Sequence, residues 1–308
     1  MKKIFLSAFI ISFSAWGGWY MTEREMEEAT STAKLHPYGS LCVRVSNKMF
    51  EGSGILILPD VVLTAAHVLG FEGGDQSGLS CGERCQNLEV FSEEGNLLPS
   101  VRKAYFNNES DLAFLVLEEE EGSYKQKVPM IKSERYEEIV KIFNISEGGN
   151  VPRLSGSFDG GMVATYLGFG DTLIPTPGMN RENLTEEYKS GFWAKATRDK
   201  KLRSGRVQLS QHFEKPNCFY AWTDLDQGPD LSNNYSAALQ RDSGAPTFVE
   251  AVESDPQILG IVSSIIVPDA LFPKKGRVVG TIFRPPQAKI SLENNDTWWE
   301  SFLRVKLD

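Results

Sequence analysis

From Gly39 onward the chain alternates short apolar runs with turn-forming residues, and this rhythm sets the expected elements. LCVRV (41–45), GILIL (54–58), VVLTAA (61–66), LEVF (88–91) and LAFLVL (112–117) are short and rich in β-branched or aromatic side chains. Runs of this length and composition predict strands rather than helices. A second set comprises GMVATYLGFG (161–170), GRVQLS (205–210), NCFYAW (217–222), APTFVEAV (245–252), QILGIVSSIIV (257–267) and RVVGTIF (277–283). Between the sets, residues 118–150 are acidic and polar and read as a connection with a short helix at 136–143. Long polar loops are expected at 171–200 and 223–236. In the tail NDTWWESFLRVKL (295–307), Trp298, Trp299, Phe302 and Leu303 share one helical face, with Asp296 as the expected N-cap. Two sets of short strands and a closing helix predict an all-β chain built as two barrels or sandwiches.

The N-terminus differs. In MKKIFLSAFIISFSAWGGWY, Lys2 and Lys3 precede an apolar run from Ile4 to Phe13, and the small residues Ala15 and Gly17 follow. Residues 1–17 read as a secretory signal of bacterial type, which implies export to the periplasm or beyond; the alternative is a retained anchor. The expected divisions are then a polar lead-in at 18–38, an N-terminal barrel at 39–118 and a connection at 119–158. A C-terminal barrel at 159–292 and a helix at 293–308 complete them. No later stretch is apolar for long enough to span a bilayer, and no stable membrane association is expected.

Composition adds limits. With 41% hydrophobic and 24% charged residues among 308, the chain has material for a sizeable core. Its net charge of -9 argues against nucleic acid as a partner, because phosphate-binding surfaces need a basic stripe. Cys42, Cys81, Cys85 and Cys218 fit an oxidising compartment, and four cysteines allow three pairings. Cys81 and Cys85 are spaced to close a small loop; as a metal pair they lack a second Cys/His pair nearby. No metal or organic cofactor is expected.

The candidate chemistry starts at RDSGAP (241–246). Asp-Ser-Gly alone is an ordinary turn. A serine becomes a nucleophile only beside a base that a third group orients. VVLTAAHVL places His67 after an apolar run, and NNESDLAFLVL places Asp111 at the mouth of another. Each alone has a bland reading, as a strand-end histidine or a turn aspartate. The conjunction is more specific than any of the three.

TAAH, DLAFLVL and DSG-x-P, in the order His, Asp, Ser, resemble the trypsin/chymotrypsin-like serine peptidases. The 44 residues from His67 to Asp111 are a usual interval for that family. TYLGFG (165–170) and ILGIVSS (258–264) are similar to two of its strands, and the resemblance covers residues 38–306. It implies two antiparallel six-stranded β-barrels with a C-terminal helix and an active site in the crevice between them. It also implies a serine endopeptidase acting on protein or peptide substrates. By the same resemblance His67 is the general base, Asp111 its orienting acid and Ser243 the nucleophile. The backbone N–H groups of Arg241 and Ser243 form the oxyanion hole. Ala237, Ser263, Ser264 and Ile265 flank the substrate. A non-catalytic relative that uses the same surface for binding is the alternative.

The chain also departs from the family pattern. Arg241 stands where most members have glycine and pays in backbone strain for the same conformation, so the oxyanion hole is expected to be distorted at rest and to straighten only with substrate or a partner bound. Val68 replaces a cysteine that often follows the base, leaving Cys42 without its family partner. No Ile-Val-Gly-Gly segment lies between residues 22 and 45, so Asp242 needs a partner other than a newly cut amino terminus. Ala237 and Ile265 imply a small or modest apolar residue before the cut.

Overall fold

LAFLVL is apolar at every position, and all six of its residues are buried, so this strand is covered on both faces. It belongs to the first of two antiparallel sheets in the computed structural model. The structure describes residues 23–70, 85, 87–107, 110–118, 127–132, 134–139, 162–172, 199–211, 219–224, 238, 241–251, 254–266, 278–287 and 297–307. The signal reading at 1–17, Ala237, Cys81, Cys218, Asp296 and most of the loops at 171–200 and 223–236 lie outside the described residues.

The first sheet contains β1 (Cys42–Ser46), β2 (Glu51–Leu58), β3 (Val61–Thr64), β4 (Glu89–Phe91), β5 (Val101–Asn107) and β6 (Leu112–Leu117). Its spatial order is β4-β1-β2-β3-β6-β5, antiparallel throughout. The second contains β7 (Met162–Gly168), β8 (Arg203–Gln211), β9 (Phe219–Asp224), β10 (Pro246–Ala251), β11 (Ser254–Ile266) and β12 (Val278–Arg284). It closes on itself in the order β10-β11-β12-β9-β8-β7. The chain is thus mostly β, compatible with the all-β reading.

One core fills the first sheet and continues through Leu167, Phe169, Phe248, Ile258 and Ile261 toward the second. Another fills the second around Tyr166, Phe219, Leu259 and Phe283. Residues 127–132 run between the sheets. Lys127 N donates to Ile57 O at 2.9 Å, and Pro129 O and Ile131 N pair with Ile258 at 3.0 Å each. Residues 134–139 are helical and bury Tyr136 and Ile139.

Among the described residues, two longer helices flank the sheets. α1 (Glu23–Leu35) lies against β8, turning its small residues Ala29 and Ala33 inward. Ser204 Oγ donates to Ala29 O at 3.1 Å. α2 (Trp298–Leu307) stacks Phe302 on Phe114 of β6, ring centroids 4.3 Å apart. Its cap is Thr297 rather than Asp296. Glu300 N donates to Thr297 Oγ1 at 3.2 Å and Thr297 N to Glu300 Oε2 at 2.9 Å, the reciprocal box that T-x-x-E encodes.

Candidate active site

Three turns supply the site. His67 lies in the short 3-10 turn Ala66–Leu69 that continues β3. Gly70 ends that turn at φ 68, and Asn47 Nδ2 holds it by donating to Val68 O at 2.8 Å. Asp111 opens β6 at φ 53, a left-handed conformation that aspartate tolerates better than most residues. Its carbonyl accepts from Ala66 N at 3.2 Å, fixing one turn to the other. Ser243 precedes β10, and Gly244 behind it has φ 83. A Cβ on Gly244 would fall 2.1 Å from Ser53 O and 2.3 Å from Thr64 Oγ1, so both the dihedral and the space demand glycine.

These turns bring the three side chains together. His67 Nδ1 lies 2.9 Å from both carboxylate oxygens of Asp111, and His67 Nε2 lies 2.6 Å from Ser243 Oγ. An ionised carboxylate only accepts, so Nδ1 carries the proton and Nε2 is left to accept from the serine hydroxyl. The main-chain N–H of His67 also donates to Asp111 Oδ1 at 3.0 Å. Ser263 Oγ donates to Oδ2 at 2.5 Å. The Ser263 side chain therefore addresses Asp111, while its carbonyl lies 3.4 Å from Ser243 Oγ. Ser263 sits where the β11–β12 register shifts between Val262 and Ser264, an irregularity of the kind that re-aims side chains.

The electrostatics follow. Burial alone would lower the His67 pKa, but the charge of Asp111 and its hydrogen bond outweigh burial and raise it. Burial would raise the Asp111 pKa. The neighbouring imidazole and the hydrogen bonds from His67, Ser263 and the His67 main chain prevail and lower it. The pair is thus arranged to stabilise an imidazolium beside a carboxylate.

Arg241 takes φ 76, the conformation that glycine adopts without cost and that costs another residue about 1–3 kcal/mol. The arginine thus holds the glycine-type conformation at rest, at the cost of strain, instead of the distorted turn expected without substrate or partner, and several contacts oppose its release. Ser53 Oγ donates to Arg241 O at 2.8 Å and accepts from Phe169 N at 3.0 Å. The guanidinium meets Glu51 Oε2 at 3.2 Å and Asp171 Oδ1 at 3.4 Å. Ser53 N donates to Ser243 O at 2.7 Å. Among the described residues, the main-chain N–H groups of Arg241 and Ser243 donate to no protein acceptor.

Asp242 is buried and accepts from Gly170 N at 3.0 Å. Burial drives its pKa up to about 7; the Gly170 N–H and the charge of Arg203 oppose this, and the charge of Asp171 adds to it. Of the residues expected along the substrate, Ser264 is half-buried in β11 and Ile265 continues that strand. Cys42 is free and buried, whereas Cys85 is disulfide-bonded to a partner outside the described residues.

Sequence reasoning named the His–Asp–Ser set but missed Ser53, Glu51 and Asp171, which meet the turn bearing Ser243 only through tertiary contacts. Among the described residues, no group of His, Cys, Asp or Glu is arranged to hold a metal ion. No described helix is long and apolar enough to cross a membrane. No family model matches the chain, and no curated protein matches it either.

Proposed function

We propose that this protein is an exported serine endopeptidase of the trypsin/chymotrypsin type, with two six-stranded β-barrels and a C-terminal helix. The observation that carries the reading is the continuous path from Asp111 through His67 to Ser243, 2.9 Å and 2.6 Å long at its two joints. Ser243 attacks the substrate carbonyl as His67 takes its proton, and the C–O bond of a tetrahedral intermediate forms. The imidazolium then protonates the leaving amine, the peptide C–N bond breaks, and an acyl-enzyme remains. Water repeats the sequence in the second half, returning the proton to Ser243. The Arg241 and Ser243 N–H groups receive the charge that develops on the carbonyl oxygen.

Export is supported by the apolar leader read in the sequence and by the disulfide at Cys85, a bond of oxidising compartments. The reaction needs only protein groups. The proposed substrate carries a small or modest apolar residue before the cut, in keeping with Ala237 and Ile265 in the sequence.

A fluorophosphonate probe tests the reading. The wild type is expected to be labelled on Ser243, with Ser243→Ala unlabelled and His67→Ala strongly slowed. An unlabelled wild type, folded and free of leader, would sink the peptidase and favour a binding module on the same scaffold.

A further inference from the structure

Arg241 is a charged residue in a backbone conformation suited to glycine, and its side chain reaches acidic partners on both sheets. Glu51 begins β2 of the first sheet and Asp171 follows β7 of the second. Glu51 is itself held by Arg44 Nη1 at 2.6 Å and approached by Lys200 Nζ at 3.6 Å. The Arg241, Glu51 and Asp171 side chains are 21%, 16% and 2% exposed, so solvent screens these pairs little.

The geometry gives the array a task. φ is rotation about the N–Cα bond, so once the Cα, carbonyl and side chain of Arg241 are fixed, φ decides where its N–H points. An arginine released from its contacts relaxes toward negative φ and swings that N–H away. Here Ser53 holds the carbonyl by a hydrogen bond, and the two carboxylates hold the guanidinium by charge, both through Nη1. We propose that Glu51 and Asp171 are positioning residues for the oxyanion hole, anchoring the Arg241 side chain so that its backbone N–H stays aimed at the substrate carbonyl. This rests on the peptidase reading. The anchor replaces the conformational freedom that a glycine would supply.

The test is acylation by 4-nitrophenyl acetate, followed as a burst, with circular dichroism as the folding check. Arg241→Ala keeps the strain and loses the anchor, and is expected to slow acylation about 10- to 100-fold, short of the ~10²–10³-fold for an outright missing donor. Arg241→Gly removes strain and anchor together and is expected to react about tenfold faster than Arg241→Ala. Arg241→Lys recovers part of that difference. Glu51→Gln and Asp171→Asn are expected to lower kcat several-fold with KM little moved. The effect of Glu51→Gln should shrink when glycine occupies position 241, and this coupling decides the matter if Arg241→Ala fails to fold.

Equal rates for Arg241→Ala and Arg241→Gly, or an undiminished Glu51→Gln effect in the glycine background, would overturn the anchor. So would an inert wild type beside a reactive Arg241→Gly, since arginine would then be closing the hole. If neither the wild type nor Arg241→Gly reacts, the peptidase reading itself fails and takes the anchor with it.

Discussion

Ser263 and Asp111, 152 residues apart, are joined by a 2.5 Å hydrogen bond from hydroxyl to carboxylate. The carboxylate belongs to the first sheet and the hydroxyl to β11 of the second, so the second sheet adds a hold to a carboxylate that His67 already orients from within the first. Ser263→Ala removes one of the donors on Asp111 and leaves both from His67. The expected result is a several-fold fall in kcat with an unchanged labelling site, read from initial rates on a chromogenic ester. No change would show the contact to be incidental.

Asp111→Asn is a harsher test. The amide no longer favours a proton on Nδ1, so His67 is free to adopt the tautomer that cannot accept from Ser243. A loss of about 10⁴-fold in kcat is expected with the fold intact by circular dichroism. A loss under tenfold would mean that Asp111 does not orient the base.

The pH dependence has a defined sign. In the proposed mechanism His67 works as a base only when neutral, and its pKa is raised above the ordinary 6.5, so kcat/KM should fall on the acid side with a midpoint above that value. Asp111→Asn should move the midpoint down. Stability runs differently for the two partners. The His67 contribution is full below the unfolded pKa and fades as pH rises through the folded one. That of Asp111 is present above its unfolded value and fades as pH falls through its depressed folded value. Acid limbs that coincide in the wild type and the variant would refute the assignment.

Asp242 offers an independent check on the nucleophile turn. A carboxyl whose folded pKa is about 7 against an unfolded 3.8 adds stability below the lower value and loses it as pH rises through the upper. Asp242→Asn keeps an oxygen for the Gly170 N–H and removes the buried charge. Its Tm should exceed that of the wild type by several degrees above pH 8, the gap closing as pH falls toward 4. A gap constant across that range would point to packing instead of charge.

Gly244→Ala should be severe. The new methyl meets Ser53 O and Thr64 Oγ1 at φ 83, and relief requires the nucleophile turn to shift. Loss of labelling together with a fall in Tm of at least several degrees is expected. Near-wild-type behaviour in both would contradict the close approach of β2 to that turn.

The legible parts of the chain were those whose signal is local. The apolar runs at 41–45, 54–58, 61–66, 88–91 and 112–117 overlap β1, β2, β3, β4 and β6. β5 went unread because Arg102 and Lys103 interrupt its alternation, both exposed where the ladder to β6 shifts register. Polar residues likewise hid the start of β8, where Arg203 and Ser204 are buried. The T-x-x-E box at Thr297 was present in the sequence but lost to the neighbouring aspartate. His67, Asp111 and Ser243 were found because each is embedded in a recognisable short motif. Ser53 and Glu51 lie in a glycine-broken strand start, and nothing in their spacing ties them to residue 241.

Ser53 engages the nucleophile turn by its amide, at Ser243 O, and by its hydroxyl, at Arg241 O. Its own carbonyl is held by Thr64 Oγ1 at 2.7 Å. The N-terminal half thus contributes a mould on which the segment bearing the serine rests. During synthesis a ribosome finishes the mould long before the serine emerges. On the proposed peptidase reading, cutting power therefore waits for both halves of the chain, since the mould comes from one and the serine from the other.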